Sequence, residues 1–218
     1  MGKLTPGLYA ITDSRLCPPD QLVTAVEAAV GGGAVMVQYR EKQAPAPEKL
    51  RQARDLSAVC RAGGALFLIN DDPELARRVN ADGVHVGQDD ESAAAARQRL
   101  GEHAVIGVTC HGRLALAEAA RGNGADYVAF GRFYTSGTKP DAPEADLSVL
   151  SNARPLGLPV CAIGGITIDN GAPLIQAGAD LLAVVGGLFG GRPDEIEQRA
   201  RAFSRLFARH HPLFSASR

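Results

Sequence analysis

Tryptophan is absent from this 218-residue sequence, and aromatic residues of all kinds make up only 5% of it. An excess of charge of one sign is also absent. The 23 lysines and arginines face 24 aspartates and glutamates, so the formal net charge is −1. A nearly neutral chain has no general field that holds a nucleic acid or an acidic membrane surface. We therefore expect no nucleic-acid partner, and any anionic ligand must be bound by a local group of residues.

Cysteine is sparse, and its four copies lie far apart at Cys17, Cys60, Cys110 and Cys161. No C-x-x-C pair occurs, so the spacing fits neither a zinc site nor a small secreted disulfide framework. The N-terminus lacks the apolar core of a signal peptide, and no segment reaches 18 uninterrupted apolar residues. These absences predict a cytoplasmic protein with reduced thiols and no membrane partner.

The sequence does contain a regular alternation of short apolar runs with stretches of helical composition. The runs lie at 7–12, 34–39, 65–70, 83–86, 104–109, 126–131, 158–164 and 181–186. Continuous apolar runs indicate strands buried on both faces, and alternation with helices requires crossovers between parallel strands. Several of the intervening stretches begin with Asp, Pro or Ser and end with Gly, as helices do. Eight such units predict an α/β fold, the (β/α)8 TIM barrel.

An open, doubly wound sheet of eight strands is the structural alternative. It is typically accompanied by a G-x-G-x-x-G turn after the first strand, and that turn is missing here. No linker, low-complexity segment or internal duplication divides the chain. We therefore expect one barrel domain over residues 1–218, with a flexible tail at about 210–218.

Active sites of such barrels lie at the carboxyl ends of the strands, so the residues that end each run are the informative ones. The last two runs end in glycine pairs, Gly164 with Gly165 and Gly186 with Gly187. Glycine lets the backbone approach a ligand closely, and loops after strands seven and eight often bind phosphate through amide N–H groups. Tight turns alone are the alternative explanation.

Two aspartates, Asp71 and Asp90, stand at the ends of consecutive runs. Mg²⁺ is commonly bound by one or two carboxylates together with water and phosphate oxygens. Helix capping is the alternative, because "NDDPEL" and "QDDES" both open helical stretches. Asp72, directly before Pro73, fits the capping role better than Asp71 does.

Polar residues spaced two apart mark the end of the second run, where Gln38, Arg40 and Lys42 share one face of an extended chain. A second group of anion donors, Ser136, Thr138 and Lys139, follows the sixth run. Together with Mg²⁺ these residues have the chemistry to surround a diphosphate. A solvated, salt-bridged rim would explain Lys42 easily, but Gln38 and Arg40 less well.

The strand ends taken together resemble one family closely, thiamine phosphate synthase. The motifs, in order over residues 8 to 185, are "LYAITD", "VQYREK", "LINDD", "GVHVGQDD", "IGVTCH", "DYVAFGRFYTSGTKP", "AIGGIT" and "GADLLAVV". The resemblance implies that the chain joins 4-amino-2-methyl-5-hydroxymethylpyrimidine diphosphate to 4-methyl-5-(2-hydroxyethyl)thiazole phosphate. Thiamine phosphate and diphosphate would be the products, and both partners would be small-molecule substrates. A homodimer is a further expectation.

The resemblance also implies roles for individual residues. Gln38 would contact the aminopyrimidine, and Asp71 and Asp90 would ligate Mg²⁺. The diphosphate would be held by Arg40, Lys42, Asn70 and Lys139, with Thr109 near it and Ser136 and Thr138 matching hydroxyl positions of the sixth loop. Gly165, Val185 and Gly186 would lie at the thiazole phosphate. The residues expected to act in catalysis are Lys139, Arg40, Lys42 and Thr109.

Three positions depart from the pattern of the family. Gly186 stands where many members have serine, Arg132 stands where a common form of the sixth loop has proline, and Asp89 replaces a frequent glutamate. Loss of the serine removes a hydroxyl donor but keeps the backbone N–H. Whether Arg132 adds an anion contact is left open by the sequence.

Two rival functions use the same fold. A thiazole tautomerase would isomerise the thiazole phosphate precursor and needs neither a metal nor a diphosphate site. Asn70, Asp71, Asp90 and the "SGTK" loop favour the synthase over it. A non-catalytic phosphate-binding barrel would need only the glycine loops, and it leaves Gln38 and the two aspartates unexplained.

Overall fold

A computed structural model describes residues 4–135 and 143–215 of the chain. Eight strands are present: β1 (Gly7–Ile11), β2 (Met36–Tyr39), β3 (Leu66–Asn70), β4 (Gly83–Val86), β5 (Val105–His111), β6 (Tyr127–Phe130), β7 (Val160–Ile163) and β8 (Leu181–Val184). They form a closed barrel in chain order, and β8 pairs in parallel with β1. The TIM-barrel prediction is confirmed, and the open sheet is excluded by this closure.

A helix follows each strand. The helices are α1 (Leu22–Gly31), α2 (Ala46–Gly63), α3 (Pro73–Val79), α4 (Ala93–Leu100), α5 (Leu114–Gly122), α6 (Ser148–Ala153), α7 (Gly171–Ala177) and α8 (Pro193–His210). A single 3-10 turn at Arg154–Leu156 extends α6, and a short helix α9 (Pro212–Ser215) ends the described chain. Among the described residues, none of these helices combines the length and the apolar character needed to cross a membrane.

The hydrophobic core has two layers because successive side chains of a strand point to opposite faces. Side chains that point into the barrel form a small cluster that includes Tyr9, Met36, Leu68, Tyr127 and Leu181. Side chains on the other face pack against the helices in a much larger cluster. The inner cluster is only partly apolar, since two of its largest members are tyrosines with a hydroxyl to satisfy.

Helix capping separates the aspartates that follow β3 and β4. Asp72 is the N-cap of α3, and its Oδ1 accepts a hydrogen bond from the amide of Leu75 at 2.8 Å. Ser92 is the N-cap of α4 and accepts from the amide of Ala95. Asp71 and Asp90 are therefore not the N-caps of these helices, although Oδ2 of Asp90 accepts a hydrogen bond from the amide of Gly87 in the turn after β4.

The C-terminal segment packs against the bottom of the barrel wall. His211, which follows α8, is buried, and its Nε2 lies 3.2 Å from Oδ1 of Asp180 in the turn before β8. Its ring also contacts Phe207 and Phe214. Residues 210–215 of the expected flexible tail thus have defined contacts, and residues 216–218 lie outside the described residues.

Candidate active site

Gln38 of β2 points into the barrel interior rather than toward the helix layer. It is 2% exposed, and its Nε2 donates to the hydroxyl of Tyr9 at 2.6 Å. The amide lies just below the rim because β2 ends one residue later, at Tyr39. Of the three polar residues that end the second run, Gln38 is thus the one that lies inside the barrel.

Arg40 and Lys42 continue beyond β2 and reach toward the two neighbouring strands. The backbone N–H of Arg40 donates to Oγ1 of Thr12, and its guanidinium lies 3.7 Å from Oδ2 of Asp13. Hydrogen bonds from Arg15 are the main cause that lowers the pKa of Asp13. Arg40 is thus held on the β1 side of the rim by an ionised carboxylate.

Lys42 turns to the other side and meets the residues that end β3. Its Nζ lies 2.5 Å from Oδ2 of Asp71, and Nδ2 of Asn70 lies at the same distance from that oxygen. The Lys42 side chain is 54% exposed, so the contact lies at the open surface of the rim. The structure therefore brings Lys42 and Asn70, two of the residues predicted at the diphosphate, to the predicted metal ligand Asp71.

Asp71 and Asp90 lie near one another at the ends of β3 and β4, close enough for each carboxyl group to affect the pKa of the other. Burial works to raise the pKa of Asp71, but hydrogen bonds from Lys42 and Asp90 outweigh it and the pKa is lowered. Burial and then the bond to Asp71 raise the pKa of Asp90. Two neighbouring carboxylates repel one another when both are ionised, and a cation between them would relieve that repulsion.

The backbone at Asp71 is held in an uncommon conformation, with φ at 60°. Its N–H donates to the carbonyl of His85 at 2.9 Å, which ties the end of β3 to β4. Positive φ in a residue other than glycine is strained and persists where neighbouring structure enforces it. The Asp71 carboxylate that follows this constrained backbone accepts from Lys42 and Asn70.

The donor set at this point fits Mg²⁺. Asp71 and Asp90 supply carboxylate oxygens, the ligands that the ion prefers. Among the residues that the structure describes, no group of three or more His, Cys, Asp or Glu side chains is arranged to hold a metal. The remaining positions around an ion would then belong to water or to oxygens of a ligand.

The opposite part of the rim consists of backbone rather than side chains. After β8, the amides of Leu188 and Phe189 both donate to the carbonyl of Val185, which closes one helical turn. Within the described residues, no backbone carbonyl accepts from the amide of Gly186 or Gly187. Amides at the start of such a turn are ready donors to an anion. Val185 itself packs against the inner cluster.

Gly165 completes this part of the rim after β7. Its φ is +63°, and a Cβ there would come within 2.4 Å of the carbonyl oxygen of Thr135. Its own carbonyl accepts from Nδ2 of Asn170 at 3.0 Å. A side chain at this position is therefore excluded by both conformation and space.

The loop after β6 is described only in part. Ser136, Thr138 and Lys139 lie outside the described residues, so their expected roles stay predictions. Arg132, at the start of the loop, donates from Nη1 to Oε1 of Glu144 at 2.9 Å. Its guanidinium is thus engaged by a carboxylate on the far side of the same loop.

A buried chain of polar groups below the rim was missed by sequence reasoning. The hydroxyls of Tyr9 and Tyr127 lie 2.9 Å apart, and the Tyr127 hydroxyl lies 2.8 Å from Nδ1 of His85. Nε2 of His85 lies 2.8 Å from Oγ1 of Thr109. His85 is thus a hydrogen-bonded interior residue. The residue type alone could have indicated these bonds, because a tyrosine on the inner face of a barrel strand needs a hydrogen-bond partner for its hydroxyl.

Comparisons with known proteins agree with this geometry. The family model described as thiamine monophosphate synthase matches residues 8–188. A thiamine-phosphate synthase of Marinobacter nauticus is 63% identical over 215 residues, which cover 99% of this chain and 97% of the relative. One of Alcanivorax borkumensis is 51% identical over 203 residues, with 92% and 94% covered.

A solved structure gives the same result in three dimensions. The thiamine phosphate pyrophosphorylase of Pyrococcus furiosus aligns with a TM-score of 0.84 at 31% identity, covering 93% of this chain and 96% of that one. Both sequence relatives and this structure match the chain over nearly its whole length. The chain therefore belongs to the thiamine monophosphate synthase family.

Proposed function

We propose that the protein is a thiamine phosphate synthase, a transferase of thiamine biosynthesis. It joins 4-amino-2-methyl-5-hydroxymethylpyrimidine diphosphate to 4-methyl-5-(2-hydroxyethyl)thiazole phosphate and releases diphosphate. The observation that carries the proposal is the cluster of Lys42, Asn70, Asp71 and Asp90 on the same rim as the glycine loops. A reaction of two phosphorylated substrates needs two anion sites that face one mouth.

The first anion site would hold the diphosphate of the pyrimidine substrate. Arg40 and Lys42 flank it from β2, Asn70 from β3 and Thr109 from β5, and Lys139 would close it from the loop after β6. Asp71 and Asp90 would hold Mg²⁺ there. When bound, Mg²⁺ neutralises charge on the diphosphate oxygens. Gln38 lies deeper and would meet the aminopyrimidine ring.

The second anion site would hold the phosphate of the thiazole substrate. The amides of Gly165, Gly186 and Gly187 would donate to its oxygens, and Val185 would contact the substrate from the inner side. A phosphate anchored there would put the thiazole nitrogen opposite the reacting carbon, which would be a proximity effect.

The mechanism that fits these parts is a dissociative substitution. The amino group of the pyrimidine donates electrons to the ring and stabilises a methylene cation as the carbon–oxygen bond to diphosphate breaks. Arg40, Lys42 and Lys139 would neutralise negative charge as it grows on the leaving group, which raises the rate rather than affinity alone. The thiazole nitrogen then forms the new carbon–nitrogen bond.

No protein nucleophile is needed for this reaction. Cys110, the thiol nearest the predicted site in sequence, is buried, and burial raises its pKa to about 12. A thiol with so high a pKa is protonated at neutral pH and unreactive. This supports direct substitution between the two substrates.

The two rival functions make different use of the rim. A thiazole tautomerase would leave the contacts among Lys42, Asp71 and Asp90 without a purpose. A non-catalytic phosphate sensor would need only the glycine loops. The proposed synthase is the function that uses Lys42, Asn70 and Asp71 together.

The test is a reaction with both substrates in which thiamine phosphate and diphosphate are quantified separately, with Mg²⁺ and with EDTA. The proposal expects the two products in equal amounts and their loss in EDTA. A tautomerase would release no diphosphate, and a sensor would bind thiazole phosphate without turnover. Either result would replace the proposed function.

Two further proposals concern the cellular location and the oligomeric state of the protein. A cytoplasmic location is supported by four unpaired cysteines, since a reducing compartment keeps thiols free. Fractionation of cells would test it. A homodimer stays a prediction, which light scattering of the purified protein would check.

A further inference from the structure

A continuous chain of hydrogen bonds crosses the inside of the barrel and joins two predicted substrate contacts. It starts at Nε2 of Gln38 and passes through the hydroxyls of Tyr9 and Tyr127 to the ring of His85, then ends at Oγ1 of Thr109. Each link measures between 2.6 and 2.9 Å. Five different strands, β2, β1, β6, β4 and β5, each contribute one member.

This chain of hydrogen-bonded side chains is buried, and ring contacts hold its members in place. Tyr127 is 0% exposed and Tyr9 is 1% exposed, while His85 is 8% exposed. The two tyrosine rings meet edge to face, and the His85 ring is tilted over that of Tyr127. Burial raises the pKa of both tyrosines, so each hydroxyl keeps its hydrogen. Each hydroxyl therefore has one hydrogen to place and donates in one direction only.

The orientation of the Gln38 amide determines the direction of every other bond. Because Nε2 can only donate, Tyr9 accepts from it and must donate its own hydrogen to Tyr127. Tyr127 then donates to Nδ1 of His85. The His85 ring is consequently the tautomer with hydrogen on Nε2, and it donates to Thr109. The hydroxyl hydrogen of Thr109 is left to point outward, toward an anion in the mouth.

The same hydrogen bonds can also run in the opposite direction, with every donor and acceptor exchanged. If the Gln38 amide turned over, its Oε1 would accept from Tyr9, and each bond would invert as far as Thr109. Thr109 would then donate inward to His85 and would have no hydrogen for an anion. The two ends of the chain are therefore coupled: an anion that accepts from Thr109 selects one orientation of the Gln38 amide.

That orientation matters for recognition of the ring. Among the described residues, none donates to Oε1 of Gln38. No fully buried side-chain oxygen or nitrogen of the described part lacks a partner, so Oε1 reaches the mouth. The outward edge of the amide presents Oε1 and one N–H in a fixed order. A 4-aminopyrimidine, with a donor at its amino group and an acceptor at the adjacent ring nitrogen, pairs with that order.

A 4-oxopyrimidine has the opposite pattern, an acceptor oxygen beside a ring N–H. It would pair equally well with an amide that had turned over. A glutamine with a free amide therefore cannot distinguish the two rings, whereas a glutamine held by the chain can.

We propose that Tyr9, Tyr127 and His85 are positioning residues that make the enzyme selective for the 4-amino ring over the 4-oxo ring. They hold the Gln38 amide in the orientation that a diphosphate at Thr109 favours. This inference rests on the proposed function, because it takes the pyrimidine diphosphate as the substrate.

The test compares the dissociation constants of the 4-amino and 4-oxo pyrimidine diphosphates, measured by titration calorimetry with Mg²⁺. In Tyr9→Phe the ring remains and the link to Gln38 is lost. We expect the ratio of the two constants to shift about 10-fold toward the 4-oxo compound, the usual effect of one hydrogen bond. Tyr127→Phe breaks the chain in the middle and should shift the ratio in the same direction.

Tyr39→Phe is the matched control. Tyr39 follows Gln38 on β2 and is also buried, but its hydroxyl donates outward to Oε1 of Gln52 at 2.7 Å. This variant also loses a buried hydrogen bond, and it should keep the wild-type ratio. The KM for thiazole phosphate should stay unchanged in all three variants. An unchanged ratio in Tyr9→Phe, or an equal shift in Tyr39→Phe, would overturn the inference.

A measurement on the wild-type protein covers the case in which the variants do not fold. Nitrogen-15 NMR of the imidazoles reports the tautomer of His85, which should carry its hydrogen on Nε2 when diphosphate and Mg²⁺ are bound. Hydrogen on Nδ1 would contradict the inference. If wild-type enzyme forms no thiamine phosphate from the 4-amino substrate, the proposed function itself fails and this inference with it. Turnover with an unchanged ratio refutes the inference alone.

Discussion

Two parts of the barrel rim offer ligands different chemical groups. One part follows β2, β3 and β4, and the other follows β7 and β8. The first presents charged side chains, among them Lys42, Asp71 and Asp90. The second presents backbone amides at Gly165, Gly186 and Gly187. The first part can change its charge when a cation enters or leaves, whereas the second has a fixed shape. We infer that the leaving diphosphate requires the adjustable part and that the bound phosphate requires only the fixed one.

The largest effect is expected where the carboxylates are altered. Asp71→Asn removes one negative charge from the proposed Mg²⁺ site, and we expect kcat to fall by about 10³-fold, as for other losses of transition-state electrostatics. Steady-state kinetics with saturating Mg²⁺ would measure it. Asp72→Asn is the matched control, because Asn also caps helices and Asp72 bonds to Leu75 instead. Equal damage in both variants would mean that Asp71 has no special role.

Lys139→Ala tests a residue outside the described part of the chain. If Lys139 contacts the leaving diphosphate, kcat should fall by about 10²-fold while the KM for thiazole phosphate changes little. Initial rates with each substrate varied in turn would separate the two effects. Turnover close to that of the wild type would remove Lys139 from the catalytic group.

A smaller effect, on substrate binding and stability rather than on kcat, is expected in the part of the rim after β7 and β8. Gly165→Ala places a Cβ 2.4 Å from the carbonyl oxygen of Thr135 at a φ of +63°. We expect the KM for thiazole phosphate to rise about 10-fold, and the free energy of unfolding to fall by about 1–3 kcal/mol. Kinetics and thermal unfolding would measure the two quantities.

Gly157→Ala is the control for that variant. Its φ is +71°, and a Cβ there would meet no atom within 4 Å. It should lose stability through backbone conformation alone and keep the wild-type KM. A raised KM in Gly157→Ala would show that the effect at Gly165 is one of general stability.

The smallest effect is expected at Gly186, where many family members have serine. A Cβ at this position would meet only Leu16, at 4.0 Å, so a side chain is accommodated. Gly186→Ser should lower the KM for thiazole phosphate about 3-fold by adding a hydroxyl donor. Gly186→Ala should leave that KM unchanged. An equal decrease in both variants would attribute the gain to packing rather than to the hydroxyl.

Much of the barrel follows from the sequence because each strand lies in a short apolar run that alternates with a stretch of helical composition. The run at 34–39, for example, contains all of β2 at Met36–Tyr39. Asp72 was recognised as a helix cap from Pro73 alone, since proline fixes the start of a helix. The pairing of Lys42 with Asp71, by contrast, depends on the register between β2 and β3, which joins residues 29 positions apart.

The interior chain is the clearest omission. Tyr9 and Tyr127 are 118 positions apart, and each lies in an apolar run whose hydrophobic pattern explains it sufficiently. Only closure of the barrel brings β1 and β6 close enough across the interior for their hydroxyls to meet. The tyrosine side chain indicates that each hydroxyl needs a hydrogen-bond partner, but only the geometry of the barrel determines which residue that partner is.

The most direct test of the difference between the two parts of the rim is titration calorimetry of each ligand with and without Mg²⁺. With EDTA, the Kd for diphosphate should rise about 100-fold, because the carboxylates then repel the anion instead of sharing a cation with it. The Kd for thiazole phosphate should not change, since backbone amides bind it. Equal losses for both ligands would contradict the account.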